Sequence, residues 1–240
     1  MKVINLGTRV VNNYIVPVGD KYLLVDTGYE NGFTHFCKRL YYHKIDLKDI
    51  SYIFLTHAHD DHAGFLNELL HHTSAKVILH PRAIERLRCG QNSFNGGCST
   101  KTAWLFCKAM SLAGKGQHRF PPLERIFEER YILFGSEAAK RVMEELSGRF
   151  IETPGHTFCS ISLLLDSGML FCGDAAMNGF PSSKRTSIWI EDGNSYYCSW
   201  KTMFALHPKI IFPGHGKPFS PNDLMNYLGN ERKLRCYPLR

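Results

Sequence analysis

The sequence predicts a mixed α/β fold, and three observations carry that reading. Short apolar runs at residues 14–18, 21–25, 51–55 and 76–79 are bounded by turn residues and read as strands. Between them lie stretches whose apolar residues recur every three or four positions, the spacing of a helix packed on one face. Finally, several of the apolar runs end directly in histidine or aspartate. The plainest case is Tyr52-Ile53-Phe54-Leu55, which leads into Thr56-His57-Ala58-His59-Asp60-Asp61-His62.

Composition bounds the possibilities. At 240 residues the chain can bury a full core, as one large domain or two small ones. With 44% hydrophobic and 21% charged residues it reads as a soluble globular protein. No apolar leader opens the chain and no uncharged run is long enough to span a bilayer, so neither a secretory signal nor a membrane partner is expected. Eight cysteines without a C-x-x-C pair read as reduced thiols of a cytoplasmic protein. The net charge of +7 is spread along the chain, with small clusters at 82–88, 184–185 and 232–240. It biases the protein towards anionic partners, but no RNA-binding fingerprint accompanies it, and nucleic acid is not the favoured partner.

Taken in order, residues 2–6, 14–18 and 21–25 read as strands, the last two joined by the turn Gly19-Asp20. The hairpin runs out into Asp26-Thr27-Gly28, where Asp26 either begins a turn or serves a site. A helix is expected over 32–42 and a strand over 51–55. In the extended segment that follows, residues two apart point to the same side, so His57 and His59 are placed to grip one ion. Asp60 suits a helix N-cap, because Phe65, Leu66, Leu69 and Leu70 have helical spacing. Asp61 and His62 then fall in the first turn and face another way. One loop therefore serves two adjacent metal positions. His71, His72 and His80 have no such spacing and read as ordinary histidines.

From 81 to 148 helices are expected over 83–88, 102–112 and 137–146, joined by Gly- and Ser-rich connectors and broken at Pro121-Pro122. Trp104, Phe106, Met110, Phe120, Phe127 and Phe134 make the region rich in large apolar side chains. Most are expected to pack the segment onto the core. A strand over 150–153 then enters Pro154-Gly155-His156-Thr157. A hairpin over 161–165 and 169–172 ends in Gly173-Asp174, a helix covers 196–206, and a strand over 209–212 enters Pro213-Gly214-His215-Gly216. A last helix follows Pro221, ending in a basic terminus.

The string H-x-H-x-D-H at 57–62, introduced by Leu55-Thr56, resembles the signature of the metallo-β-lactamase-fold hydrolases. Asp26-Thr27-Gly28, Pro154-Gly155-His156-Thr157, Gly173-Asp174 and Pro213-Gly214-His215-Gly216 resemble the family's other four blocks, in the family's order. Two positions depart from the pattern. Cys159 stands where the family places glycine, and Met177 stands where its lactonases place tyrosine three residues after the bridging aspartate. Tyr196 or Tyr197 is a candidate substitute, although packing is the simpler role for both. The resemblance implies an αββα sandwich as a single domain over 1–240. Of the 93 residues between His62 and His156, it makes 81–148 a helical insertion that shapes the pocket; apart from the resemblance, a homodimer contact is a further candidate role for this region.

The resemblance also implies the site. One metal would take His57, His59 and His156; the other would take Asp61, His62 and His215, with Asp174 bridging and Asp26 supporting the ligands from behind. Imidazole and carboxylate donors suit zinc, and manganese or iron accept the same set. Two such ions, roughly 3.5–4 Å apart, share a water and lower its pKa towards neutrality. Asp61 would hold that nucleophile and carry a proton. The implied activity is a dinuclear metal-dependent hydrolase whose bridging hydroxide attacks a small-molecule ester, lactone or thioester. Alternatives on the same fold are a phosphodiesterase or nuclease, a mononuclear-iron dioxygenase, and a binding module without catalysis. Met177 weakens the lactonase reading. The 25 residues after His215 are too few for the helical domain of the glutathione-thioester enzymes. Cys172 is not counted as a ligand.

Overall fold

The computed structural model describes residues 2–228 and 236–239, so most of the basic stretch expected at 232–240 lies outside the described residues. The chain divides into two compact units, Met1–Asn92 with Arg119–Gly148, and Ser93–His118 with Arg149–Arg240. Each carries its own sheet.

In the first unit six strands lie in the order Ile4–Asn5, Tyr14–Val18, Lys21–Val25, Ile50–Phe54, Lys76–Leu79 and Tyr131–Leu133. The first three pair antiparallel, the second and third through the two-residue turn Gly19-Asp20. From Lys21–Val25 onward the pairing is parallel. Parallel strands need helical crossovers that cover their faces, and they bury both sides. Accordingly Ile53, Phe54, Val77, Ile78 and Leu79 are all buried. The helices Phe33–Tyr42 and Leu66–His72 supply part of that cover, burying Phe36, Leu40, Leu66, Leu69 and Leu70. The Phe65 ring sits 5.3 Å from Phe36, joining the two.

Parallel pairing has a consequence for the site. Adjacent parallel strands end on the same edge of the sheet, where ligand-binding loops of α/β sheets gather. Asp26, just past Val25, donates its backbone N–H to Phe54 O at 3.0 Å. The two polar loops that follow these strands thus leave the sheet side by side.

The second unit repeats the device. Its four strands run Ile210–Pro213, Met169–Gly173, Ile161–Leu165 and Gly148–Glu152. The first two are parallel neighbours, and Gly214 N–H donates to Gly173 O at 2.8 Å, so Asp174 and His215 follow neighbouring strand ends. The helix Gly193–Ala205 buries Tyr196, Trp200 and Met203 in this unit's core with Leu170 and Ile211.

The expected mixed α/β class is what forms, and most expected elements fall within two residues of their reading. Residues 81–148 are mainly helical, in Ile84–Cys89, Lys101–Leu112 and Glu137–Leu146. They also hold two short strands that sequence periodicity missed. Tyr131–Leu133 closes the edge of the first sheet, and Gly97–Cys98 pairs with Trp189–Ile190. Both are too short to show alternation, and they exist only through partners far along the chain. No helix among the described residues is long and apolar enough to cross a membrane.

Candidate metal centre

In the first unit His57, His59, Asp61 and His62 occupy one loop-to-helix passage after the strand Ile50–Phe54. His57, His59 and His62 are all buried, which is costly for polar rings unless their nitrogens are engaged. The His57 and His59 rings lie 4.7 Å apart between centroids, and His57 and His62 lie 4.1 Å apart. His62 Nε2 is 3.8 Å from Asp61 Oδ1. Three imidazoles and a carboxylate are thus packed together.

Asp26 organises this cluster. Its carboxylate, 1% exposed with the rest of the residue, accepts the Thr56 backbone N–H on Oδ1 at 2.7 Å. Oδ2 accepts the Thr56 hydroxyl at 2.7 Å and His62 Nδ1–H at 2.8 Å. Because the Thr56 hydroxyl spends its proton on Asp26, it can only accept from His57 Nδ1–H, 3.0 Å away. One carboxylate therefore fixes two imidazole tautomers, directly for His62 and through Thr56 for His57. In both, Nδ1 holds the proton and Nε2 keeps the lone pair a metal needs. Asp26 adopts φ 58°, the left-handed region, which aspartate tolerates better than most residues. Thr27 completes the grip, donating its N–H and hydroxyl to His62 O at 2.8 and 2.7 Å. Asp26 thus does more than begin a turn: it hydrogen-bonds His62 directly and His57 through Thr56.

The N-cap differs from expectation by one residue. The short helix is Asp60–Ala63, its N-cap is His59, and Asp60 lies inside the first turn. Asn92 satisfies the exposed helix start instead. Its Oδ1 accepts Asp60 N–H at 2.8 Å and its Nδ2 donates to Asp60 Oδ1 at 2.7 Å. A cap supplied from 32 residues away leaves no local signal. The remaining histidines behave as read: His71 pairs with Glu124 at 2.7 Å, His72 stacks on Phe33, and His80 accepts from Arg82 N–H.

In the second unit His156, Asp174 and His215 converge. His156 Nε2 and His215 Nε2 lie 3.8 and 3.4 Å from the same oxygen, Asp174 Oδ2. The spacing fits a cation. Tetrahedral bonds of about 2.0–2.1 Å place neighbouring donors about 3.3–3.4 Å apart. His156 Nδ1 donates to Trp189 O at 2.8 Å; a carbonyl only accepts, so Nε2 is again the bare nitrogen.

The backbone around this trio is built for close approach. Gly155 has φ 129°, and a Cβ there would meet the Tyr196 backbone at 2.3 Å. Only glycine lets the Pro154–His156 turn sit against the helix Gly193–Ala205, where Ser199 Oγ donates to Pro154 O at 2.6 Å. Gly155 O in turn accepts Glu191 N–H at 2.8 Å. Past the aspartate, Ser187 Oγ donates to Asp174 O, and Trp200 Nε1–H donates to Ala175 O at 2.7 Å. Tyr196 hydroxyl donates to Ser187 Oγ at 3.1 Å and accepts Ser187 N–H at 2.9 Å. Burial holds the Tyr196 hydroxyl far above the usual phenol range, so it stays a neutral hydrogen-bonding group. Tyr196 is thus a buried positioning group that reaches Asp174 through Ser187. Met177 is buried, Cys159 is buried beside Thr157, and the Cys172 thiol donates to backbone carbonyls.

Sequence reasoning named the residues of the two clusters and Asp26, and missed the other groups that orient them. Thr56 stands out in sequence only as part of a string, while Trp189 O, Ser187 and Asn92 carry no pattern. The segment around Trp189 aims His156 because it pairs with Gly97–Cys98, a contact no local reading foresees.

Comparison with known proteins places these features. A family model described as the metallo-beta-lactamase superfamily matches residues 6–93. The metallo-beta-lactamase fold-containing protein ST1585 of Sulfurisphaera tokodaii is 29% identical over 222 residues, covering 89% of this chain and 76% of that one. The hydroxyacylglutathione hydrolase of Nitrosococcus oceani is 25% identical over 170 residues, covering 69% of this chain and 48% of its own length. Among solved structures, a Cronobacter sakazakii metallo-beta-lactamase with a HARLDQ motif superposes with a TM-score of 0.64 at 17% identity. The match covers 96% of this chain and 88% of that one, and at this identity it speaks for the fold alone.

Proposed function

We propose that the chain, whose residues 6–93 match the metallo-beta-lactamase superfamily model, is a dinuclear metal-dependent hydrolase of a small-molecule ester, lactone or thioester. The observation that carries the reading is the convergence of His156 and His215 Nε2 on one Asp174 oxygen, at 3.8 and 3.4 Å. A buried carboxylate between two imidazole nitrogens, of which His156 Nε2 carries no proton, is a cation site by donor chemistry. Following the family's pattern, His57, His59 and His156 would hold one ion and Asp61, His62 and His215 the other, with Asp174 shared. Zinc suits the donors best. When bound, divalent ions supply Lewis acidity that activates water and polarises the scissile carbonyl or phosphoryl group.

The chain's own residues do the rest. Asp26 and Thr56 hold His57 and His62 in the ligating tautomer, so no imidazole must rearrange when metal arrives. Ser187 and Trp200 hold the carbonyl oxygens of Asp174 and Ala175. Asp61 is the most open of the seven candidate ligands, its side chain 15% exposed while the other six residues are buried. It is placed to hold the attacking water and carry its proton. None of the eight cysteines is in a disulfide, which fits a reducing, cytoplasmic setting.

The test is turnover of a panel of nitrophenyl esters, acyl thioesters and lactones by metal-loaded protein. Activity should vanish on chelation, return with zinc or manganese, and fall about 10²–10⁴-fold in Asp61→Asn. Activity that persists after complete metal removal would refute the reading.

A further inference from the structure

One helix of the second unit is built oddly for a soluble protein. Lys101–Leu112 carries Trp104, Leu105, Phe106, Met110 and Leu112, yet Ala103 is its one buried residue. Such a helix ordinarily turns its apolar stripe to a core. Here one flank is covered by the chain's own end, with Trp104 Nε1–H donating to Pro238 O and Lys108 Nζ to Leu239 O, both at 2.9 Å. The flank bearing Phe106 meets a different element. Phe180 packs edge-on against it, with ring centroids 6.2 Å apart and planes at 86°. Phe180 itself remains 85% exposed, so an aromatic pair stands open to solvent.

The position of Phe180 gives the pair a meaning. It belongs to the loop that follows Asp174, and that loop is fastened to the His215 turn. Asn178 N–H donates to His215 O at 2.9 Å, Asn178 Nδ2 donates to Lys217 O at 2.7 Å, and Asn178 forms a bridge with Gly216. A Cβ at Gly179 would sit 3.3 Å from His215 Cβ, so the residue next to Phe180 lies against the histidine. Arg185 pins the far side of the loop through Asp223 at 2.6 Å. An exposed large apolar group on a fastened loop beside a candidate metal ligand costs solubility without stabilising a core, which marks a binding surface.

We propose that Phe180 and Phe106 form an apolar lip beside His215 that binds the acyl group of the substrate, selecting alkyl or aromatic acyl chains over short or charged ones. This rests on the hydrolase reading for the position of the scissile bond, but the lip is a property of the second unit by itself. An edge-on pair leaves one ring face open, and a flat ring or a methylene chain fills it by the same burial that drives apolar binding elsewhere.

The experiment measures kcat/KM of the zinc-loaded protein for nitrophenyl esters from acetyl to octanoyl, in wild type, Phe180→Ala and Phe106→Ala. Partial burial should raise kcat/KM about twofold per methylene, half of the effect of full burial, giving roughly 50-fold across the series. Each variant should cut the octanoyl-to-acetyl ratio at least about fivefold. The 85% exposure of Phe180 makes its removal harmless to folding. A ratio near one in wild type, or one unchanged in both variants, overturns the lip while leaving the hydrolase standing. If no ester is cleaved, calorimetric titration with octanoate and acetate decides separately. Octanoate binding that Phe180→Ala abolishes upholds the lip while the hydrolase reading falls, and equal binding by both proteins overturns the lip. A dimer that Phe106→Ala dissociates, with the acyl ratio unchanged, assigns the face to a second copy and also overturns it.

Discussion

At the scale of single residues, Asp26 has the widest reach. It accepts three hydrogen bonds within 2.8 Å and sets the tautomer of two buried histidines, from a left-handed backbone position. Asparagine tolerates the same backbone but replaces one acceptor oxygen with an NH2 donor, so Asp26→Asn removes the charge together with at least one of the accepted hydrogen bonds. Metal affinity, measured by competition with a chelator, should fall about 10–100-fold while circular dichroism stays native. Unchanged affinity would mean that the network is packing alone. This residue also shows what sequence can deliver. Asp-Thr-Gly after a strand named Asp26, but nothing local showed that its charge reaches His57 through a threonine hydroxyl.

At the scale of elements, two parallel strand pairs, one in each unit, carry polar loops from their shared ends, and tight turns aim those loops. Long strands and helices were legible because their periodicity is intrinsic. The two-residue strands at 97–98 and 189–190 were not, since such pairing is defined by its distant partner. The turn at Gly155 gives a direct test against Gly135, which also has positive φ, 85°, but where an added Cβ would meet nothing within 4 Å. Gly135→Ala should cost about 1–2 kcal/mol of left-handed strain. Gly155→Ala adds collision with the Tyr196 backbone and should cost about 2–5 kcal/mol, read by denaturant unfolding. Equal losses would mean the turn has room to move. The helix Gly193–Ala205 behind that turn is capped by Asp192, whose carboxylate accepts Ser195 N–H at 2.7 Å. That bond holds its carboxyl below the usual range. A depressed folded value stabilises the protein above the unfolded value of about 3.9, and the contribution disappears as pH falls through the folded value. The unfolding difference between wild type and Asp192→Asn should therefore hold from neutral pH to about 5 and close in stronger acid. A difference that persists unchanged in acid would show that the carboxylate charge is not its source.

At the scale of the whole molecule, the five blocks that resemble the family's pattern are divided between the two units, four candidate ligands on the first and three on the second. Composition alone would have left a basic soluble protein of undefined role, because a charge of +7 spread along the chain selects no partner. The blocks were legible because metal chemistry restricts donors to a few residue types at strand ends. The surface at Phe106 and Phe180 was not, because an exposed aromatic and a core aromatic look alike in sequence. The central claim is the proposed dinuclear metal-dependent hydrolase. It is tested most directly by elemental analysis of protein purified without chelator, beside His59→Ala. We expect about two equivalents of zinc or manganese in wild type and a clear loss in the variant, following the two-ion pattern of such sites. A single iron, or no metal in either protein, would contradict it.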